Sequence, residues 1–117
     1  MKRILLFLAL AVAFVAVASC EKTAIISVDA EATLIYPTGF YTQVSPQRFN
    51  FSRSTLSDYD LEYMFENLIK DANQNFGSAI LKLEVYDAVS GEHLSSESYG
   101  VVYNSHYGRY DFANLGS

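Results

Sequence analysis

The clearest pattern in this sequence is a helical one, between Leu56 and Gly77. Apolar residues recur there at spacings of three and four, which places them on one side of an α-helix. Ser57 suits the N-cap position, Asp60 is its capping-box partner, and Gly77 suits the left-handed residue beyond the end. The residues on the predicted apolar face are Leu61, Met64, Phe65, Leu68, Ile69, Ala72 and Phe76. A face of this size has to pack against a second layer, which the rest of the chain must supply.

A predicted hairpin precedes the helix. Residues 24–34 alternate apolar and polar side chains, as a half-buried strand does. Tyr36-Pro37-Thr38-Gly39 has proline second and glycine fourth, which favours a type I turn. The return strand, residues 40–52, contains Ser45-Pro46, so we expect a bend or bulge there on an edge strand.

A second hairpin is predicted after the helix. The alternation resumes at residues 79–86, a loop containing Gly91 follows, and residues 93–103 form the return strand. The pattern leaves the inward face of that return strand open, and Gly100 is a candidate bulge position. Residues 104–112 could add a short edge strand.

The order strand, strand, helix, strand, strand predicts an α+β fold. We expect an antiparallel sheet of four or five strands in ββαββ order, with one amphipathic helix packed on one face. Residues 24–112 form a single domain in this interpretation, and residues 113–117 form a frayed C-terminus. Residues 20–117 are 98 in number, enough for one domain with a core but not for two.

The first 20 residues follow a different pattern. Met1-Lys2-Arg3 is a short basic start, and the 15 residues from Ile4 to Ala18 are uncharged, apolar and end in small side chains. This is the three-part pattern of a secretory signal. As a helix those residues would span roughly 22 Å, which is short of a bilayer core of roughly 30 Å. The segment is therefore predicted to direct export rather than to span a membrane.

The tetrad Val17-Ala18-Ser19-Cys20 resembles the bacterial lipobox, an aliphatic residue and two small residues before a cysteine. In that family the thiol is alkylated with diacylglycerol and the signal is removed just before the cysteine. The resemblance implies that residues 1–19 are removed, that Cys20 carries lipid and that residues 20–23 are a short tether. The protein would then be exported and lipid-anchored to a bacterial membrane, at its periplasmic face or at the cell surface.

Two alternatives to lipidation stay open at this point. Ordinary cleavage after Ala18 would leave an unpaired thiol, and the apolar run could instead be a buried core helix. Cys20 is the only cysteine, so an intramolecular disulfide is excluded in every case. The sequence does not decide which membrane or which side is involved.

The charge of the chain argues against nucleic acid as a partner. Without Lys2 and Arg3, the chain has 6 basic and 13 acidic residues, so its net charge is −7. A domain this acidic is a poor partner for nucleic acid or for anionic lipid surfaces. The lipid on Cys20 therefore has to supply the membrane attachment.

Motifs that would indicate chemistry are missing from the sequence. It has no nucleophile elbow, phosphate-binding glycine loop, zinc-binding histidine pair or cysteine pair. We therefore predict no catalytic residue, no metal ligand and no cofactor. His93 and His106 are interpreted as solvated side chains. The acidic residues from Asp58 to Glu62 resemble a calcium loop only superficially, because a two-residue spacing on a helix directs side chains to different faces.

The carboxyl end is rich in aromatic residues, and these are the candidate binding residues. The set consists of Tyr99, Tyr103, Tyr107, Arg109 and Tyr110, with Phe112 close behind. Tyrosine and arginine are favoured in interfaces, because each combines a large apolar body with a polar tip. The alternative is that the tyrosines are strand residues that fill the edge of the sheet.

Three functions are therefore open. The first is a non-catalytic envelope lipoprotein that binds another protein, as an accessory subunit, assembly factor or inhibitor. The second is a carbohydrate- or peptide-binding module that uses the aromatic cluster, and the third is an enzyme of unfamiliar type. A protein-binding patch should be contiguous and fairly flat, a glycan site should be a groove with tyrosine faces beside polar residues, and an enzyme should show a cleft with convergent titratable groups.

Overall fold

In a computed structural model the described residues are 24–116, and they form five strands and one helix. The elements in chain order are β1 (Ile26–Ile35), β2 (Tyr41–Phe51), α1 (Asp58–Leu68), β3 (Ser78–Asp87), β4 (His93–Asn104) and β5 (Arg109–Gly116). The predicted removal of residues 1–19 and the lipidation of Cys20 lie outside the described residues.

The five strands form one antiparallel sheet in the order β2-β1-β3-β4-β5. The helix packs against one face of this sheet, so the predicted α+β fold is confirmed. The fifth strand that the sequence left open is present. In this order β2 and β5 are the two edge strands, and each pairs with a single strand among residues 24–116.

The core lies between α1 and the inward face of the sheet, chiefly that of β1 and β3. On β1 every second residue is buried, and β3 presents the matching face through the register that joins Val28 to Val85 and Ala32 to Leu81. The buried residues of α1 are Asp60, Leu61, Met64, Phe65 and Leu68. Each large apolar side chain buried here contributes about 1.5–3 kcal/mol before conformational entropy is subtracted. The predicted apolar face of the helix is therefore confirmed over these two turns.

The β1–β2 hairpin follows its predicted turn and bulge. The amide of Gly39 donates to the carbonyl of Tyr36 at 2.9 Å, and Gly39 has φ +93°, which favours glycine. Farther along, Ala30 pairs with Gln47 and Ala32 with Val44, so Ser45 and Pro46 together oppose one residue of β1. The proline therefore occupies a bulge on an edge strand, as expected.

The helix begins as predicted but ends early. The Ser57 side chain accepts from the Asp60 amide, and the Asp60 carboxylate accepts from the Ser57 amide at 2.9 Å, which completes the capping box. The last helical residue is Leu68, and Gly77 does not adopt positive φ, so the predicted extension to Gly77 is wrong.

Polar side chains of the segment after α1 bind backbone groups and so compete with helix continuation. The Gln74 side chain donates to the carbonyl of Ile69 at 3.3 Å, and the Asn73 side chain accepts from the amide of Asn75 at 3.0 Å. Phe76 nevertheless reaches the core from this loop, since its ring lies 5.9 Å from that of Phe65. Its spacing in the sequence matched a helix, although its backbone is not helical.

The inward face of β4, which the sequence left open, is defined in the structure, and the C-terminus differs from the prediction. Val101 of β4 is buried and pairs with Ala79, so the odd-numbered residues of β4 from 95 to 103 face the helix. Gly100 sits in regular pairing with β3, whereas the irregularity against β5 leaves Leu115 as the extra residue. Residues 113–116 belong to β5 rather than to a frayed end, because they continue the ladder on β4.

Candidate binding site at the β5 edge

Tyr110, one of the predicted binding residues, belongs largely to the packing beneath the helix. Its ring centroid lies 4.9 Å from Phe65, 5.2 Å from Tyr103 and 6.2 Å from Phe76, on which it stacks. Burial is the main cause that raises the pKa of the Tyr110 hydroxyl, with Glu66 adding to the effect. The alternative interpretation, that this tyrosine fills the edge of the sheet, is therefore supported.

Tyr99 also faces the helix side of the sheet and is half-buried. Its hydroxyl donates to the carboxylate of Glu97 at 2.5 Å. Burial, followed by the bond to Glu97, raises the pKa of Tyr99 to about 12. The structure thus separates Tyr99 from the other predicted binding residues, which lie at the far end of β4, in the turn beyond it and at the start of β5.

That turn is built by its own sequence. The Asn104 side chain accepts from the amides of His106 and Tyr107, and Gly108 has φ +67° and donates its amide to the carbonyl of Asn104 at 2.8 Å. The turn leaves the Tyr107 ring 67% exposed, with the guanidinium carbon of Arg109 5.5 Å from its centroid. This pair is therefore available on the surface.

A groove of about 470 Å³ runs between the first turns of α1 and β5. The residues that line it are Asp58, Tyr59, Glu62, Arg109, Tyr110, Asp111 and Phe112. Asp58 and Glu62 are four residues apart on the helix and so lie on one side of it. Tyr59 stands beside them with 85% of its surface exposed. A second hollow of about 420 Å³ lies on the other side of Arg109 and Tyr110, where Glu66 and Lys70 border it.

The helix side of the groove carries carboxylates that form no ion pair among the described residues, and Arg109 of β5 is the cation that lines the same groove. The ion pairs found between residues 24 and 116 join Arg48 to Asp29, Arg53 to Asp60 and His93 to Glu84. None of them involves Asp58, Glu62 or Glu66. Burial raises the pKa of Glu66 first, and the neighbouring Glu62 carboxylate raises it further. A cation placed here would relieve this repulsion.

The opposite edge strand, β2, contacts the helix at two places. The Gln47 side chain of β2 donates to the Asn67 carbonyl of α1 at 3.2 Å, and the rings of Phe49 and Tyr63 meet edge to face at 5.8 Å. The Pro46 bulge interrupts β2 itself. Along β5, by contrast, pairing with β4 is regular from Arg109 to Asn114, and the groove separates the strand from the first turns of α1.

One polar cluster on the other face of the sheet was missed by the sequence reasoning. His93 Nε2 lies 2.9 Å from Glu84 Oε2 and 3.2 Å from Ser96 Oγ, and Ser96 Oγ donates to Glu84 Oε2 at 2.5 Å. The Ser96 and His93 bonds lower the pKa of Glu84. Neighbouring strands bring these residues together, and the extra residue Leu94 sets their register, so spacing along the chain gave no signal.

This cluster does not form a nucleophile relay. In such a relay one imidazole nitrogen takes the hydroxyl proton while the other is held by the carboxylate. Here a single nitrogen, Nε2 of His93, faces both Glu84 and Ser96, and the His93 and Glu84 side chains are 49% and 47% exposed. The cluster is therefore interpreted as a hydrogen-bonded surface network.

Among residues 24–116 there is no group of three or more acidic, histidine or cysteine side chains placed to hold a metal ion. In the same part of the chain no helix is long and apolar enough to cross a membrane. Comparisons with protein-family models, curated proteins and solved structures found no match.

Proposed function

We propose that this chain is an exported bacterial lipoprotein, anchored through Cys20, whose domain binds another protein without catalysing a reaction. The signal pattern and the lipobox-like tetrad in the sequence support the anchor. The observation that supports the binding role is the edge of β5, which no other strand of residues 24–116 covers and which lies beside a groove. An uncovered strand edge is a template for association with another chain, and in most domains such edges are protected by bulges, prolines or covering elements.

The arrangement of the strands fits a domain that reaches away from a membrane. β1 begins two residues after the start of the described chain and runs for 10 residues, which is about 33 Å. The turn that carries Tyr107 lies at the opposite end of the sheet from the start of β1, because β4 runs parallel to β1 with β3 between them. With residues 20–23 as a short tether, the Tyr107 turn would face away from the anchoring membrane.

Mass spectrometry of the mature N-terminus tests the anchor. The expected result is a chain that begins at Cys20 and carries diacylglycerol on its sulfur. An unmodified chain that begins at Ser19 contradicts the lipoprotein proposal.

Photo-crosslinking in the native membrane tests the binding role. A photoreactive phenylalanine analogue is placed at Tyr59, beside the β5 edge, or at Tyr41, on the β2 edge. Both native side chains are strongly exposed, at 85% and 70%, so the two positions are matched in access. The expected result is a discrete protein adduct from position 59 and none from position 41. Equal labelling from both positions contradicts binding at the β5 edge.

Carbohydrate binding is the second candidate, because the groove combines Tyr59 with Asp58, Asp111 and Arg109. Sugar rings stack on free aromatic faces, but the ring of Tyr110 is engaged by Phe76, Phe65 and Tyr103. Only Tyr59 offers a strongly exposed ring within the groove. A glycan-array signal that is lost in Tyr59→Ala would favour this second candidate over protein binding.

A further inference from the structure

We infer that the segment bound at this site is an extended strand of another protein, which adds to β5 and places lysine or arginine side chains over Asp58 and Glu62. This inference rests on the proposed protein-binding function and specifies the chemistry of the partner. The edge of β5 and the groove form one surface, in which β5 supplies backbone groups and α1 supplies carboxylates.

The backbone half of the surface is the regular part of β5. Six residues, Arg109 to Asn114, pair with β4 without interruption, and the extra residue Leu115 comes only at the end. Six residues span about 20 Å, enough for a short added strand. Such a strand gains main-chain hydrogen bonds to the edge, and its alternate side chains point to opposite faces of the sheet.

The side-chain half of the surface is the groove. The alternate residues of an added strand that face the helix would meet Asp58, Tyr59 and Glu62. These carboxylates form no ion pair among the described residues, and Arg109 of β5 is the one cation that lines the groove, so a lysine or arginine of the partner would add positive charge on the helix side. Burial is the main cause that raises the pKa of Glu66, and the neighbouring Glu62 carboxylate on this side of α1 raises it further.

The same charges argue against a second copy of this chain as the occupant. Without its first three residues the chain carries a net charge of −7, so two copies repel each other. A basic partner avoids this penalty.

A peptide titration on the full-length chain in detergent tests the inference. The probe is a blocked eight-residue peptide that alternates threonine with lysine. One control peptide has glutamate in place of lysine, and another keeps the lysines but has alternate backbone amides methylated. Binding is measured at low and at high salt, and backbone amide hydrogen exchange is followed with and without each peptide.

The lysine peptide should bind, slow exchange within Arg109–Asn114 and leave exchange in β2 unchanged. Both control peptides should bind at least tenfold more weakly. Glu62→Lys should weaken binding of the lysine peptide about fivefold, and Glu92→Lys, a matched charge reversal in the distant β3–β4 loop, should leave it unchanged. Raising the salt should remove most of the difference between the lysine and glutamate peptides.

Three results would overturn the inference. The first is equal binding of the lysine and glutamate peptides, the second is protection of β2 instead of β5, and the third is self-association of the chain through β5 in sedimentation. If the lysine peptide fails while crosslinking from position 59 still gives a protein adduct, protein binding stands and only the chemistry of the partner is wrong. If that adduct is absent as well, the proposed function fails.

Discussion

The two edges of this sheet differ although one helix covers the same face beside both. β2 carries a proline bulge and is tied to α1 by the bond from Gln47 to Asn67. β5 has regular pairing along most of its length, and a groove separates it from the first turns of the helix. Bulges, prolines and covering elements are the usual protection of a strand edge. By this comparison the β2 edge carries features that hinder strand pairing, whereas the described part of the chain leaves the β5 edge open to pairing with another strand.

The largest effect in this comparison is expected from the aromatic contact that joins the helix to the β5 side. Phe65 is fully buried and its ring contacts those of Tyr110, Phe112 and Phe76. Phe65→Ala should lower the free energy of unfolding by about 3–5 kcal/mol in urea melts. Tyr59→Ala, on the exposed side of the same helix, should change it by less than about 0.5 kcal/mol. Equal losses would mean that the helix face is assigned wrongly.

A smaller effect on thermal stability should distinguish Tyr110 from Tyr107, which the sequence placed in one set of binding residues. Tyr110→Ala removes a half-buried ring from the aromatic packing and should cost about 1–3 kcal/mol, a fall in melting temperature of several degrees. Tyr107→Ala removes an exposed ring and should leave the melting temperature nearly unchanged. Thermal unfolding of the two single variants decides this, and a strongly destabilised Tyr107→Ala would place that ring in the packing as well.

The protection of the β2 edge can be weakened by one substitution. Pro46→Val restores a backbone donor and a strand-forming side chain in the bulge, so it should change stability by less than about 1 kcal/mol. It should nevertheless increase self-association, because the edge becomes a better template for pairing. Sedimentation velocity at several concentrations measures this. An unchanged monomer fraction would show that the bulge and the helix contacts protect β2 without the proline.

The smallest effect concerns the acidic side of α1. The pKa of Glu66 is raised in the folded protein, so protonated Glu66 favours folding, and this contribution is lost as the pH rises through the raised value. Glu66→Gln, which stays neutral, should be more stable than the native chain by about 0.2–0.5 kcal/mol at pH 7. The difference should vanish near pH 3, where the native carboxyl is protonated as well. Urea melts of both proteins across this range test the sign.

The sequence predicted those features of the fold that depend on neighbouring residues. Ser57 and Asp60 lie within one helical turn, and Ser45-Pro46 interrupts its own strand, so the capping box and the bulge could both be expected. The helix end could not be predicted from spacing. Phe76 keeps a helical interval from Phe65 yet reaches it from a loop, since tertiary packing outweighs local periodicity.

The candidate site was predictable only in part, because its groove depends on strand order. Tyr107 and Arg109 were identified from residue type and do meet on the surface. Tyr59 and Glu62 of the groove were not selected, since nothing in the sequence shows that the start of α1 lies beside β5. The Glu84, His93 and Ser96 network was missed for the same reason, as its members come from paired strands.

The place of β1 inside the sheet has a mechanical consequence. β1 is the first strand of the described residues, and it is hydrogen-bonded to β2 on one side and to β3 on the other. Suppose that Cys20 is fixed in a membrane and that a partner bound at β5 is pulled away from it. The opposing force then enters the domain along β1. Because ladder bonds run perpendicular to their strands, a force along β1 loads the ladders between β1 and β5 in shear and does not peel one bond after another. The domain would then act as a stiff link between the bilayer and its partner.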